Sequence, residues 1–102
     1  MKIPKHPTLL KRMRDARIKK LVPRHPPLAA SLGRQRGGGW HVTLKQNGKT
    51  RTVYVPKDLR EEVQASIEEH RRLKRLLAEI TQLQLALIRC YKTQQARRAG
   101  RA

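Results

Sequence analysis

A small α+β fold is predicted: a two-stranded antiparallel β-hairpin followed by one long, partly coiled-coil-like α-helix, with a basic, Pro/Gly-rich N-terminal arm in front. Three observations point to it. Asn47-Gly48 separates two runs of β-branched and aromatic residues, Trp40 to Gln46 and Lys49 to Val55; this dipeptide is the strongest short hairpin signal, because both turn positions need positive φ. Pro56 ends the second run, having no N–H to give to a ladder. Asp58, with Glu61 three positions on, then makes a capping-box-like helix start, and helix formers dominate to about Gln95.

The arm covers residues 1–39. It is rich in Lys and Arg, holds one acid, Asp15, and is punctuated by Pro4, Pro7, Pro23, Pro26 and Pro27 before Gly37-Gly38-Gly39. Thr8 is placed to cap a short helix over Leu9 to Val22. Its apolar stripe is partial, and Lys11, Arg12, Arg14, Arg17, Lys19 and Lys20 dominate it. A helix this short is marginal alone in water, and like charges four apart weaken it further. Disorder without a partner is the expectation. The rest of the arm reads as a linker, in which Arg34 and Arg36 sit among glycines that let backbone approach a phosphate closely. The G-x-x-x-x-G-K-[ST] spacing of a nucleotide-binding loop is missing.

With Asn47-Gly48 as a two-residue loop, Gln46 faces Lys49, Leu44 faces Arg51, Val42 faces Val53 and Trp40 faces Val55. Side chains alternate along a strand. Trp40, Val42, Leu44, Val53 and Val55 therefore share one face, with the stem of Arg51 beside Leu44. His41, Thr43, Lys45, Thr50, Thr52 and Tyr54 share the other. The first face suits a core and the second suits water or a ligand. Residues 40–70 form the expected hairpin–helix body.

In the helix, Leu59, Val63, Ile67 and His70 form a stripe able to lie across the hairpin's apolar face. His70 is expected as a packed side chain, not a metal ligand. Over residues 71–95, Leu73, Leu76, Ile80, Leu83, Leu87 and Cys90 alternate spacings of three and four, a short heptad seam. Leu77, Leu85 and Ile88 widen it. A helix of about 55 Å at 1.5 Å per residue outruns one hairpin. The distal half is expected to need another helix, from a second copy or a different protein. Residues 96–102 lose the periodicity and read as an exposed basic tail.

Charge bounds the function. The chain has 25 basic and 7 acidic side chains, a formal net charge of +18, and only 3% aromatic residues. Self-repulsion at that charge opposes a compact monomer and favours a polyanionic partner; solubility alone asks for a net charge of only about 2 to 8. Cys90 is the one cysteine, which excludes a disulfide framework and a thiolate zinc cluster. No apolar run approaches the roughly 20 residues that span a bilayer, and the N-terminus lacks the apolar core of a secretory signal. Cytoplasm is the expected compartment, with no membrane partner.

Catalysis finds little support. Most of the acids are accounted for by helix capping or pairing, as Glu68 with Arg72, and Ser31 and Ser66 have no triad pattern around them. His6, His25, His41 and His70 are scattered. No cofactor, metal or small-molecule substrate is expected. Nucleic acid, DNA or RNA, fits better, through two surfaces. One is electrostatic: Lys11 to Lys20, Arg34 and Arg36, Arg71, Arg72 and Arg75, and Arg97 to Arg101. The other is the polar hairpin face of His41, Thr43, Lys45, Thr52 and Tyr54, with Lys49 and Arg51 near the turn. A two-stranded ribbon fits the major groove of B-DNA, and on a single strand Tyr54 or Trp40 would stack a base. Trp40, sharing its face with aliphatic residues, is expected in the core.

Trp40, Asn47 to Thr50, Tyr54 to Pro56 and the helix from Asp58 resemble a short bacterial and archaeal family of unknown function associated with mobile elements. The resemblance spans about residues 38–88 and implies transposition or a related process. Many members of that family carry a cysteine cluster before the first strand; Gly33 to Gly39 stand there in this chain, so no metal-linked role carries over. The hairpin-then-helix order is also similar to the arm-binding domains of tyrosine recombinases, an analogy of architecture that implies a sheet in the major groove. The leading expectation is a small non-catalytic nucleic-acid-binding accessory protein of a mobile-element nucleoprotein complex. A helical protein–protein adaptor and a basic protein of an RNA–protein particle are the alternatives.

Overall fold

A computed structural model describes residues 1–100, and the side chains of all of these except residues 98 and 99. Along the chain come α1 (Pro7–Lys19), β1 (Ser31–Arg34), β2 (Trp40–Gln46), β3 (Lys49–Val55), a 3-10 turn (Lys57–Leu59) and α2 (Arg60–Ala99). They form two compact units, Pro23–Leu73 and the pair of segments Met1–Val22 and Lys74–Ala102.

In the first unit the hairpin has the register that its turn dictates: Trp40 opposite Val55, Val42 opposite Val53, Leu44 opposite Arg51, Gln46 opposite Lys49. Asn47 and Gly48 take φ of 50° and 78°. The sheet, however, has three antiparallel strands in the order β1-β2-β3, not two. Ser31–Arg34, expected as linker, pairs with β2 so that Leu32 meets Val42 and Arg34 meets Trp40. The chain reverses between them because Gly37 and Gly38 adopt φ of 101° and 95°, which a side chain would make strained. The Gln35 N–H donates to the Gly39 carbonyl across this reversal at 2.7 Å.

Val42, Val55 and Ile67 are the buried centre of the unit, with Leu28, Ala30, Leu32, Trp40, Leu44 and Val63 packed around them. Each such aliphatic side chain, fully buried, stabilises by roughly 1.5–3 kcal/mol. The Leu28 N–H donates to the Ser66 carbonyl at 3.0 Å, tying the segment before β1 to α2. Val53 departs from expectation: it is 52% exposed. β3 is an edge strand, and the segment that adds cover to the inner face lies along β1 at the opposite edge. Only Val55, where β3 leads into the helix, is enclosed. Leu59 is likewise exposed.

The helix start also differs. Asp58 lies inside the 3-10 turn instead of capping the α-helix, Pro56 holds the cap position, and no side chain caps the turn. Glu61 and Glu62 occupy the first turn of α2, where the helix dipole favours negative charge.

In the second unit the arm expected to be disordered forms α1. Pro7 is at its first turn and His6, not Thr8, is its cap residue, without a side-chain cap bond; proline's fixed φ suits that position. Three contacts join α1 and its leader to the distal part of α2. Arg17 Nε donates to Glu79 Oε2 at 2.7 Å, Arg14 Nη1 to Gln84 Oε1 at 3.1 Å, and Cys90 Sγ to the Lys5 carbonyl at 3.4 Å. Positions fall on one side as they rise on the other, so the two segments run antiparallel. Leu10 and Leu83 are fully buried. α1 thus covers part of the distal seam, and tertiary packing outweighs its weak propensity. Leu77, Leu85 and Ile88 stay exposed. Among the described residues, no helix is long and apolar enough to cross a membrane.

Candidate nucleic-acid interface

Alternation along the paired strands puts His41, Thr43, Lys45, Thr50, Thr52 and Tyr54 on the sheet face away from the core, and adds Ser31 and Gly33 from β1. They fall into rows. Gly33, His41 and Tyr54 make the first, Ser31, Thr43 and Thr52 the second, and Lys45 with Thr50 the third. β1 begins opposite Thr43, so beyond that point the hairpin continues as a two-stranded ribbon closed by Asn47-Gly48. A ribbon of that width enters the major groove of B-DNA.

The first row is shaped by the missing side chain of Gly33. A β-carbon there would fall 2.9 Å from His41 Nε2, so the imidazole lies over bare backbone. Nδ1 of the same ring is buried without a hydrogen-bond partner. Tyr54 is 65% exposed, and its ring edge is 3.4 Å from where a β-carbon on Gly39 would stand. A cross-strand His–Tyr pair therefore occupies one end of the face, hydroxyls the middle, and the Lys45 ammonium the end nearest the turn. Hydroxyl and ammonium groups donate to base acceptors and phosphates, and an exposed phenol ring stacks a base. No acid stands between Asp15 and Asp58 in the sequence, so nothing in the three strands repels a polyanion.

The other cations that the sequence singles out are distributed more widely. Register puts Lys49 and Arg51 with the inner-face set at the ribbon tip, and Arg51 Nη1 donates to Gln46 Oε1 at 2.9 Å. Arg36 is exposed between β1 and β2. Arg71 is exposed, whereas Arg72 Nε donates to Glu69 Oε1 at 2.6 Å. The expected Glu68–Arg72 pair is thus replaced by Glu69–Arg72, and Glu68 accepts from Gln64 Nε2 at 3.5 Å instead. Glu69 is only 5% exposed, and a buried carboxylate needs a charged partner far more than a solvated one does.

In the other unit, Lys11, Arg12, Lys19 and Lys20 are exposed on or just after α1. Arg14 and Arg17 are engaged: Arg14 also pairs with Asp15 at 3.0 Å, and Arg17 also donates to the Met13 carbonyl at 3.2 Å. Arg75 is exposed. Of the helix-association residues, Leu83 is buried, Leu73, Leu76, Ile80 and Leu87 are half-buried, and Leu77 is exposed. Arg97 is exposed; the remaining arginine side chains of the expected tail cluster, 98 and 101, lie outside the described residues.

A second basic feature, on the inner side of the sheet, brings Arg34 and Arg71, both expected to meet nucleic acid, together with Arg60, which the sequence does not single out. The Arg60 guanidinium carbon sits 4.2 Å from the centroid of the Trp40 ring and that of Arg34 sits 5.7 Å away. Such contacts are worth about 0.5–2 kcal/mol. Arg60 Nε is buried without a hydrogen-bond partner, an arrangement that costs roughly 1–3 kcal/mol. Beside the ring opens a cleft of about 280 Å³ lined by Leu32, Trp40, Arg60, Gln64, Ile67, Glu68 and Arg71. The available signal was spacing: Val55 pairs with Trp40, and Arg60 follows five residues later, on the first turn of the helix.

Among the described residues, no group of three or more His, Cys, Asp and Glu side chains gathers as a metal site would. Compared with protein families, curated proteins and solved structures, the chain matches none.

Proposed function

We propose that this chain is a small, non-catalytic, cytoplasmic nucleic-acid-binding protein that serves as an accessory subunit of a mobile-element nucleoprotein complex. The outer sheet face supports this reading most: an acid-free surface with a His–Tyr pair, a row of hydroxyls and Lys45, extended by a two-stranded tip narrow enough for the major groove. The exposed cations of α1 add sequence-independent attraction to phosphate. Leu77, Leu85 and Ile88, left exposed on α2, supply a surface for a protein partner in the same complex.

Fluorescence polarisation against duplex DNA, single-stranded DNA and structured RNA tests the proposal. If about six to ten phosphates are met, affinity drops by around 10³ to 10⁵ between 50 and 200 mM salt. Lys45→Ala should weaken duplex binding and reduce the salt slope by about one. Salt-insensitive binding, or none to any of the three, refutes the proposal.

A further inference from the structure

The inner side of the sheet presents chemistry that the outer-face reading does not use. Arg60 is laid over Trp40, Arg34 approaches the same ring, and Arg71 lines the adjoining cleft with Gln64. None of the three arginines has an ion-pair partner among the described residues. The one acid of the cleft is Glu68, whose carboxylate accepts from Gln64. Two guanidinium groups against one carboxylate leave the cleft lining about one charge positive, and Arg34 adds a further charge beside the Trp40 ring. Like charges held together repel, and an entering anion relieves that repulsion.

We infer that the Trp40–Arg60–Arg71 cleft is an oxyanion site for a phosphate group, separate from the outer face. The planar fork of arginine matches a tetrahedral oxyanion through paired N–H donors. Stacking on Trp40 holds the Arg60 fork in one orientation, so little side-chain freedom remains to be lost on binding. The cleft, about 280 Å³ with a tryptophan wall, has room for a phosphate or pyrophosphate group. The site stands on its own geometry. Assigning its phosphate to a nucleic-acid backbone rests on the proposed function; a free phosphate is the other source of the same chemistry.

Trp40 is the only tryptophan in the chain, so tryptophan emission comes from the ring that walls this cleft. The full chain is titrated with inorganic pyrophosphate and, separately, with an oligothymidylate lacking terminal phosphates, each at constant ionic strength set with sodium chloride. Saturable change in Trp40 emission is expected with one or both. Arg60→Met keeps an apolar stem on the ring and removes the fork, and should raise the midpoint by about tenfold or more. Arg71→Met, at an exposed position, should raise it by about three- to tenfold and guards against a folding defect at residue 60. Response to the oligonucleotide alone assigns the site to a phosphodiester; response to pyrophosphate assigns it to phosphate generally. Emission unchanged by either probe, or midpoints unchanged in both variants, overturns the inference. Lys45→Ala serves as the control: it should weaken duplex binding and leave the pyrophosphate response intact, so the outer-face reading and the cleft fail independently.

Discussion

The imidazole of His41 rests over the α-carbon of Gly33, close enough that a β-carbon at residue 33 would stand 2.9 Å from Nε2. Glycine on β1 therefore sets the height of the first row of the outer face. Gly33→Ala should push the ring outward, and since the obstructing atom is the far end of a rotatable side chain, the stability loss should stay near about 1 kcal/mol. Adding His41→Ala should recover most of that loss. A double-mutant cycle by urea denaturation reads the coupling, and strictly additive effects would refute the packing described.

Ile67 and Val53 should behave oppositely although both lie on the side of the core. Ile67 is buried with Val42 and Val55, so Ile67→Ala should destabilise by roughly 2–5 kcal/mol. Val53 is more than half exposed, so Val53→Thr should stay within about 0.5 kcal/mol. Chemical denaturation of the two variants, followed by Trp40 emission, compares them directly.

Leu10 is the buried side chain of α1. Leu10→Ala should cost about 2–5 kcal/mol of local stability, enough to release a helix that its own charges already weaken. Hydrogen exchange should then show residues 7–19 losing protection while β2 and β3 keep theirs. Unchanged protection of α1 would mean that its ion pair with Glu79 and its bond to Gln84 suffice to hold it.

The local parts of this fold are legible in the sequence, and the non-local parts are not. Asn47-Gly48 dictates a turn, and the turn dictates every pair from Gln46–Lys49 to Trp40–Val55. β1 escapes notice because Ser31-Leu32-Gly33-Arg34 is short, polar at both ends and interrupted by glycine; its pairing is set by β2, not by its own propensity. Val53 follows the correct face, but alternation cannot reveal which strand will be left at an edge. α1 looks unstable because isolated-helix physics weighs its like charges, whereas the burial of Leu10 and the Arg17–Glu79 pair are long-range. Of the candidate interface, the polar row from His41 to Tyr54 is readable from period two alone. The place of Gly33 beneath His41 and the Arg60 stack on Trp40 depend on chain reversals that the pattern does not encode.

In the proposed function the outer sheet face meets nucleic acid. Amide chemical-shift mapping of the full chain, with and without duplex DNA at about 50 mM salt, tests it most directly. The largest perturbations are expected at His41, Thr43, Lys45 and residues 50–54. Saturable binding with the sheet amides unmoved and shifts confined to residues 1–22 would contradict it.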